Sequence, residues 1–150
     1  MRAYPDTSFL FAFYVKQSNS ATAAAYARTM REPLHITTLL AYEFRQALRF
    51  QTWRRASNPN LGLAAAHMHI ALQRFQGDLL SGVAMLVPCD FQDVFDRADQ
   101  LSTRYTVAHG NRSLDILHVA TALHLSARDF LTFDANQRAL ASTQKLRLKP

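Results

Sequence analysis

The sequence predicts an α/β fold with three layers, α/β/α, around a central, mostly parallel sheet of four or five strands. Strand and helix signals alternate along the whole chain, which is typical of parallel sheets covered by helices. Hydrophobic residues make up 49% of the 150 and charged residues 19%, a composition typical of a globular domain. A domain of this length buries roughly 68–70% of its unfolded surface. We therefore expect residues 1–150 to form one domain.

In the first half of the chain, turn and breaker residues separate two strands from four helices. Pro33 ends the second helix, and Asn58-Pro59 predicts the turn of a helical hairpin. The predicted segments are strand Arg2 to Pro5, helix Thr7 or Ser8 to Val15, helix Ser20 to Glu32, strand Leu34 to Thr37, helix Thr38 to Arg55 and helix Leu61 to Leu80.

The second half alternates strand and helix regularly. A short, uninterrupted apolar run at Ala84 to Pro88 predicts a buried strand, and three aspartates mark the solvated side of the next helix. These aspartates are Asp93, Asp96 and Asp99. The remaining predicted segments are helix Phe91 to Tyr105, a turn at His109 to Arg112, helix Ser113 to Leu125, strand Phe130 to Phe133, helix Asp134 to Ser142 and strand Leu146 to Leu148.

Charge and cysteine content suggest a partner and a compartment. The net charge of +6 comes from 17 basic and 11 acidic residues, which suits a phosphate-rich partner but also simply favours solubility. Cys89 is the single cysteine and cannot form an internal disulfide, so we expect a reducing cytoplasm.

The apolar run Phe9 to Val15 loosely imitates a secretory signal, and no run reaches the roughly 18 apolar residues of a membrane helix.

Four carboxylates lie at the end of an apolar run or on the apolar face of a predicted helix. They are Asp6, Glu43, Asp115 and Asp134. Two follow predicted strands, and the other two lie near the start of predicted helices. Because ligands of an open parallel sheet bind outside the carboxyl ends of its strands, we expect the four carboxylates to converge at that edge.

Three of these carboxylates also have an ordinary structural explanation. Asp6 and Asp134 are suited to capping the helices that follow them, and Gln137 would complete a capping box with Asp134. Asp115 would lie in the first turn of its helix, where the macrodipole favours a negative charge.

Glu43 is harder to explain structurally. Leu39, Leu40 and Ala47 share its side of a helix, where a lone carboxylate is expensive to desolvate. Buried carboxylates need a counter-charge, and one divalent cation serves several at once. The acidic set therefore predicts a metal site.

The segments around the four acids resemble one known family. They are DTSFL from Asp6, YEFRQAL around Glu43, SLDILHVATAL around Asp115 and LTFDANQRALA around Asp134. In this order they resemble the PIN-domain ribonucleases, in particular the VapC-like toxins of bacterial toxin–antitoxin pairs. The resemblance covers nearly the whole chain and implies a PIN-like sheet. The family often has a further acid after the last aspartate, where this chain has Asn136 and Gln137.

The resemblance implies a Mg²⁺- or Mn²⁺-dependent endoribonuclease whose catalytic and metal-binding acids are Asp6, Glu43, Asp115 and Asp134. A metal-activated water would cleave RNA to a 5′-phosphate and a 3′-hydroxyl, without a covalent nucleophile. Ser8 and Thr132 would support the ligands through their hydroxyls. It also implies an antitoxin partner and a homodimer.

A basic stretch with interleaved Phe50 and Trp53 is a candidate for RNA binding, although it is equally suited to a solvated face or a groove for a partner helix. Its arginines are Arg45, Arg49, Arg54 and Arg55.

Other functions fit the sequence less well. A zinc site at His67 and His69 is disfavoured, because residues two apart on a helix face different ways. A phosphatase of the haloacid dehalogenase type needs an aspartate where Ser8 stands, and no glycine motif for nucleotides is present. The main alternative is a catalytically silent PIN-like module that binds RNA or protein.

Overall fold

The computed structural model describes residues 3–150, and this range contains seven helices and five strands. In chain order they are β1 (Ala3–Pro5), α1 (Thr7–Tyr14), α2 (Ser20–Thr29), β2 (Leu34–Ile36), α3 (Thr38–Ser57), α4 (Ala65–Ser81), β3 (Ala84–Leu86), α5 (Phe91–His109), α6 (Ser113–His124), β4 (Asp129–Leu131), α7 (Ala135–Thr143) and β5 (Arg147–Lys149). Across this range, no helix combines the length and apolar character needed to cross a membrane.

The strands pair in parallel, which confirms the predicted α/β class. β4 pairs with β1 on one side and β5 on the other, and β2 pairs with β3. β1 and β2 also lie in contact, so the strands follow the spatial order β3-β2-β1-β4-β5. The order reverses between β1 and β4, which places the topological switch point at the carboxyl ends of these two strands.

Helices bury the middle of the sheet. Helices α1 to α4 pack against one another, and α5 to α7 form a second packed group. Every residue of β1, β2 and β4 is buried, as a parallel sheet covered on both faces requires. The largest fully buried side chains are Tyr4, Phe9, Phe44, Phe75 and Phe130.

The prediction that the whole third strand is buried is wrong. Ala84 is buried, but Met85 is 45% exposed and Leu86 is 52% exposed. β3 pairs only with β2, so it lies at the edge of the sheet and one side has no neighbouring strand. Arg2, the first residue of the predicted first strand, lies outside the described residues.

The helix boundaries that differ most from the prediction are the start of α4 and the end of α5. Residues 61–64 are not helical, and α4 begins at Ala65, because Gly62 adopts a left-handed φ of +69° that a helix cannot contain. α5 continues to His109 and ends at Gly110, which has a φ of +64°. Left-handed glycines are common at such ends, since they lack the Cβ that makes this conformation costly.

Candidate active site

Asp6 lies at the switch point and joins the ends of β1 and β4. Its Oδ1 accepts hydrogen bonds from the backbone N–H of Phe9 at 2.8 Å and the hydroxyl of Ser8 at 2.7 Å. Its Oδ2 accepts one from the hydroxyl of Thr132 at 2.6 Å. The bond to Phe9 makes Asp6 the N-cap of α1. Asp6 is completely buried, and this desolvation raises its pKa despite the three donors.

Ser8 and Thr132, the predicted supporting hydroxyls, connect Asp6 to the segment that carries Asp134. Ser8 Oγ accepts from the N–H of Phe133 at 2.9 Å, and Thr132 Oγ1 accepts from the N–H of Asp134 at 3.0 Å. The two hydroxyl oxygens lie 3.3 Å apart. Together they fix the backbone after β4 relative to the start of α1.

Asp115, in the first turn of α6, and Asp134, the N-cap of α7, lie close to each other. Asp134 caps α7 by accepting from the N–H of Gln137 at 2.9 Å, while the Gln137 side chain donates to Asp115 Oδ1 at 3.2 Å. The predicted cap at Asp134 is therefore confirmed, but Gln137 does not return a bond to close a capping box. Asp115 is half-buried; desolvation first, and then the negative charge of Asp134, raise its pKa.

Glu43 projects from α3 and is held by two side chains. The carboxylate bonds Nε2 of His118 and accepts a hydrogen bond from the Thr7 hydroxyl. The side chain of Glu43 remains 20% exposed. Desolvation acts to raise its pKa, but the hydrogen bond and charge of His118, together with Thr7, outweigh it and lower the pKa. His118 and Thr7 are thus partners of the Glu43 carboxylate within the protein itself, and the role of Glu43 at a metal stays a prediction.

A cleft of about 790 Å³ brings three of the four predicted acids together. Glu43, Asp115 and Asp134 line it. Asp6 is not among the lining residues and lies behind Ser8, to which it is bonded. Two basic side chains, Lys16 and Arg112, also line the cleft. The result is an acidic site with positive charge at its border, which suits a phosphate diester.

The chemistry of the cleft fits a hard divalent cation on a small set of oxygen ligands. Among residues 3–150, no three histidine, cysteine, aspartate or glutamate side chains form a group able to hold a metal. Asp115 and Asp134 offer a like-charged oxygen pair, and the buried Oε1 of Gln137 has no hydrogen-bond partner. An unpartnered buried acceptor beside two carboxylates suits a cation such as Mg²⁺ or Mn²⁺ or the water around it.

Sequence reasoning did not assign a role in the site to His118 or Gln137. Each lies three residues after a predicted acid, His118 after Asp115 and Gln137 after Asp134. In a helix, this spacing places two side chains on the same face. This spacing of three residues is the sequence signal that could have placed both residues near the site.

The four candidate RNA-binding arginines lie on α3, and none of them lines the cleft. The part of α3 that does line it is formed by Glu43, Ala47 and Gln51, one residue per turn. The guanidinium of Arg45 lies 5.4 Å from the centre of the Phe75 ring. Beside the arginines, the rings of Phe50 and Trp53 are exposed and stacked with centroids 5.4 Å apart.

Comparisons with known proteins give a family and several similar folds. The family model described as PIN domain matches residues 3–142. The crystal structure of Mycobacterium tuberculosis VapC20, a sarcin–ricin loop cleaving toxin, is similar at a TM-score of 0.68 and 15% identity, covering 99% of both chains. FitAcB from Neisseria gonorrhoeae is similar at a TM-score of 0.65 and 16% identity, covering 99% of this chain and 96% of the other. No curated protein sequence matches this chain.

Proposed function

The chain belongs to the PIN-domain family, and from this premise we propose that it is a Mg²⁺- or Mn²⁺-dependent endoribonuclease, the toxin of a toxin–antitoxin pair. One observation carries the proposal: three acids from α3, α6 and the start of α7 line one cleft beside the switch point, with a fourth directly behind. The similar fold of a toxin named for cleaving the sarcin–ricin loop agrees with it.

Within this proposal, Asp115 and Asp134 would hold the cation, with Gln137 Oε1 beside them and the Asp6 carboxylate behind. When bound, the cation supplies a water nucleophile at neutral pH and neutralises charge on the phosphate. The hydroxyls of Ser8 and Thr132 donate to the Asp6 carboxylate, and Thr132 Oγ1 also accepts from the backbone N–H of Asp134 and so holds the start of α7 in place.

The remaining cleft residues bind and orient the substrate. Lys16 and Arg112 are placed to contact non-bridging phosphate oxygens, which are anionic in RNA. Glu43, kept ionised by His118 and Thr7, orients the attacking water from its place in the lining of the cleft. Attack at phosphorus breaks the bond to the 3′-oxygen and leaves a 5′-phosphate and a 3′-hydroxyl.

Partners and location follow from the same family assignment. We propose a small antitoxin chain that covers the cleft, a homodimeric toxin and a cytoplasmic location, the last in keeping with the free thiol of Cys89. The RNA flanking the cleft would contact α3 outside the face formed by Glu43, Ala47 and Gln51. The arginines proposed for this contact are Arg45, Arg49, Arg54 and Arg55.

The proposal is tested with purified wild-type protein and Asp115→Asn, each incubated with total RNA in Mg²⁺, in Mn²⁺ and in EDTA. We expect discrete cuts with 5′-phosphate ends, lost in EDTA and in Asp115→Asn. The matched control is Asp99→Asn, which removes the same charge from an exposed position on α5; it should cut like wild type.

One observation favours a second candidate, a PIN-like module that binds RNA without cutting it. Gln137, a neutral residue, follows Asp134 in the cleft, and Asp6 already accepts three hydrogen bonds. Intact RNA in every lane, together with RNA binding by the wild-type protein, would replace the nuclease proposal with this one.

A further inference from the structure

A second pocket, of about 340 Å³, lies near the acidic cleft. At two places in the chain, consecutive residues line the two cavities. Asn111 lines the second pocket and Arg112 lines the cleft, while Asn136 lines the pocket and Gln137 the cleft. If one unit of a polymer lies in the cleft, the next unit is therefore close enough to enter this pocket. Its lining residues are Tyr105, His109, Asn111, Asn136, Ala139, Leu140 and Thr143.

Aromatic rings provide one side of this pocket. The rings of Tyr105 and His109, one turn apart on α5, stack with centroids 6.4 Å apart and an interplanar angle of 27°. The guanidinium of Arg104 lies 5.4 Å from the centre of the Tyr105 ring. Tyr105 packs against the hydrophobic core and His109 is exposed, so one ring is anchored and the other accessible. Flat rings of this kind stack on nucleobases with little preference for sequence.

Two side-chain amides provide hydrogen bonding. The Oδ1 of Asn111 is buried without a hydrogen-bond partner, which is costly in a folded protein unless a ligand supplies a donor. The amide of Asn136 is exposed. Asparagine amides pair with the edges of bases because they carry a donor and an acceptor side by side.

We propose that this pocket binds a nucleobase of the RNA strand, next to the phosphate cleaved in the acidic cleft. The inference rests on the proposed ribonuclease function and names a subsite for it. No lysine or arginine lines the pocket among the described residues, which favours a base over a phosphate. On binding, the Asn111 side chain turns so that its buried Oδ1 accepts from an N–H of the base, and bases that present an amino group or a ring N–H fit best.

The test measures binding without turnover. ¹⁵N-labelled protein in EDTA is titrated with each of the four nucleoside monophosphates, with ribose 5-phosphate as the control that lacks a base. We expect the side-chain amide signals of Asn111 and Asn136 to shift with at least one nucleotide and not with ribose 5-phosphate. In Tyr105→Leu the Kd should rise at least about fivefold, because stacking is lost, whereas Tyr105→Phe should bind like wild type.

A second arm separates this inference from the ribonuclease proposal. If the wild type cuts RNA, cleavage of a randomised RNA pool should show a base preference beside the cut that Asn111→Ala removes. If the wild type cuts nothing but nucleotides still shift Asn111 and Asn136, the nuclease proposal fails and the base site stands. Three results would overturn the base site, whatever the RNA assay shows. They are no shifts at all, shifts confined to Gln137 and other cleft residues, and equal shifts with ribose 5-phosphate.

Discussion

His118 bonds Glu43 across the interior of the protein and so joins α6 to α3 beside the cleft. His118 is completely buried, and its Nδ1 lies 3.1 Å from the hydroxyl of Tyr4 on β1. The same hydroxyl lies 3.4 Å from Thr37 Oγ1, the N-cap of α3. These polar groups are buried together, and each depends on the others for its hydrogen bonds.

Replacing His118 should therefore destabilise the fold. In His118→Leu, Glu43 and Tyr4 each lose a partner, and we expect the free energy of unfolding in urea to fall by about 1–3 kcal/mol. Tyr4→Phe, which loses only the hydroxyl, should cost less. His118→Gln, whose amide can still donate to Glu43, should recover part of the loss. Equal stability of His118→Leu and wild type would mean that the bond between His118 and Glu43 contributes nothing.

Gln137→Glu should strengthen metal binding and weaken the metal-free fold. The new carboxylate would face Asp115 and Asp134, so like charges repel without a cation and attract one more strongly. We expect the affinity for Mn²⁺, measured by calorimetry, to rise on the order of tenfold, and the Tm in EDTA to fall. Gln100→Glu, at an exposed position on α5, is the charge-matched control and should change neither value. An unchanged Mn²⁺ affinity in Gln137→Glu would place the cation elsewhere.

Local sequence signals were sufficient for the fold class and for the placement of the acids that follow strands. Asp6 comes directly after β1 and Asp134 closely follows the end of β4, so the parallel topology alone brings them to one edge. The partnership of Glu43 and His118 spans 75 residues, and no local pattern specifies such a distant pair. The exposure of Met85 could not be predicted from the sequence either, because a short apolar run has the same pattern in a central strand and in an edge strand.

Gly62→Ala should distort the loop at the end of the cleft. A Cβ at Gly62 would lie 2.0 Å from the carbonyl oxygen of Gln51, and its φ of +69° disfavours any side chain. The neighbouring N–H of Leu63 donates to that same oxygen at 2.9 Å. We expect a loss of about 1–3 kcal/mol or more in urea unfolding, with weaker RNA binding. The control Gly77→Ala, in α4 with open space around it, should gain about 0.5–1 kcal/mol. Wild-type stability of Gly62→Ala would show that the loop moves freely.

Asp6→Asn separates the charge of Asp6 from its capping role. Because burial raises the pKa of Asp6, its charge is costly, and asparagine still accepts from the N–H of Phe9 as an N-cap. We expect the metal-free Tm to stay level or rise, while the increase in Tm caused by Mg²⁺ is lost. A lower metal-free Tm with the Mg²⁺ effect intact would limit Asp6 to a structural cap.

The stability of the metal-free protein should depend on the ionisation of Asp115. Burial and the charge of Asp134 raise its pKa in the folded state above that of the unfolded chain. The stabilisation associated with protonated Asp115 is thus fully present below about pH 4 and is lost as pH rises through the folded-state pKa. We expect the Tm of wild type in EDTA to decline over that range relative to Asp115→Asn, whose side chain cannot ionise. Carboxylates that do not interact with Asp115 are common to both proteins and cancel in the difference, whereas the repulsion between Asp115 and Asp134 is part of what is measured. Saturating Mg²⁺ should remove the decline, because a cation favours the ionised carboxylate. A difference in Tm that stays constant with pH would show that the pKa of Asp115 is not raised in the folded protein.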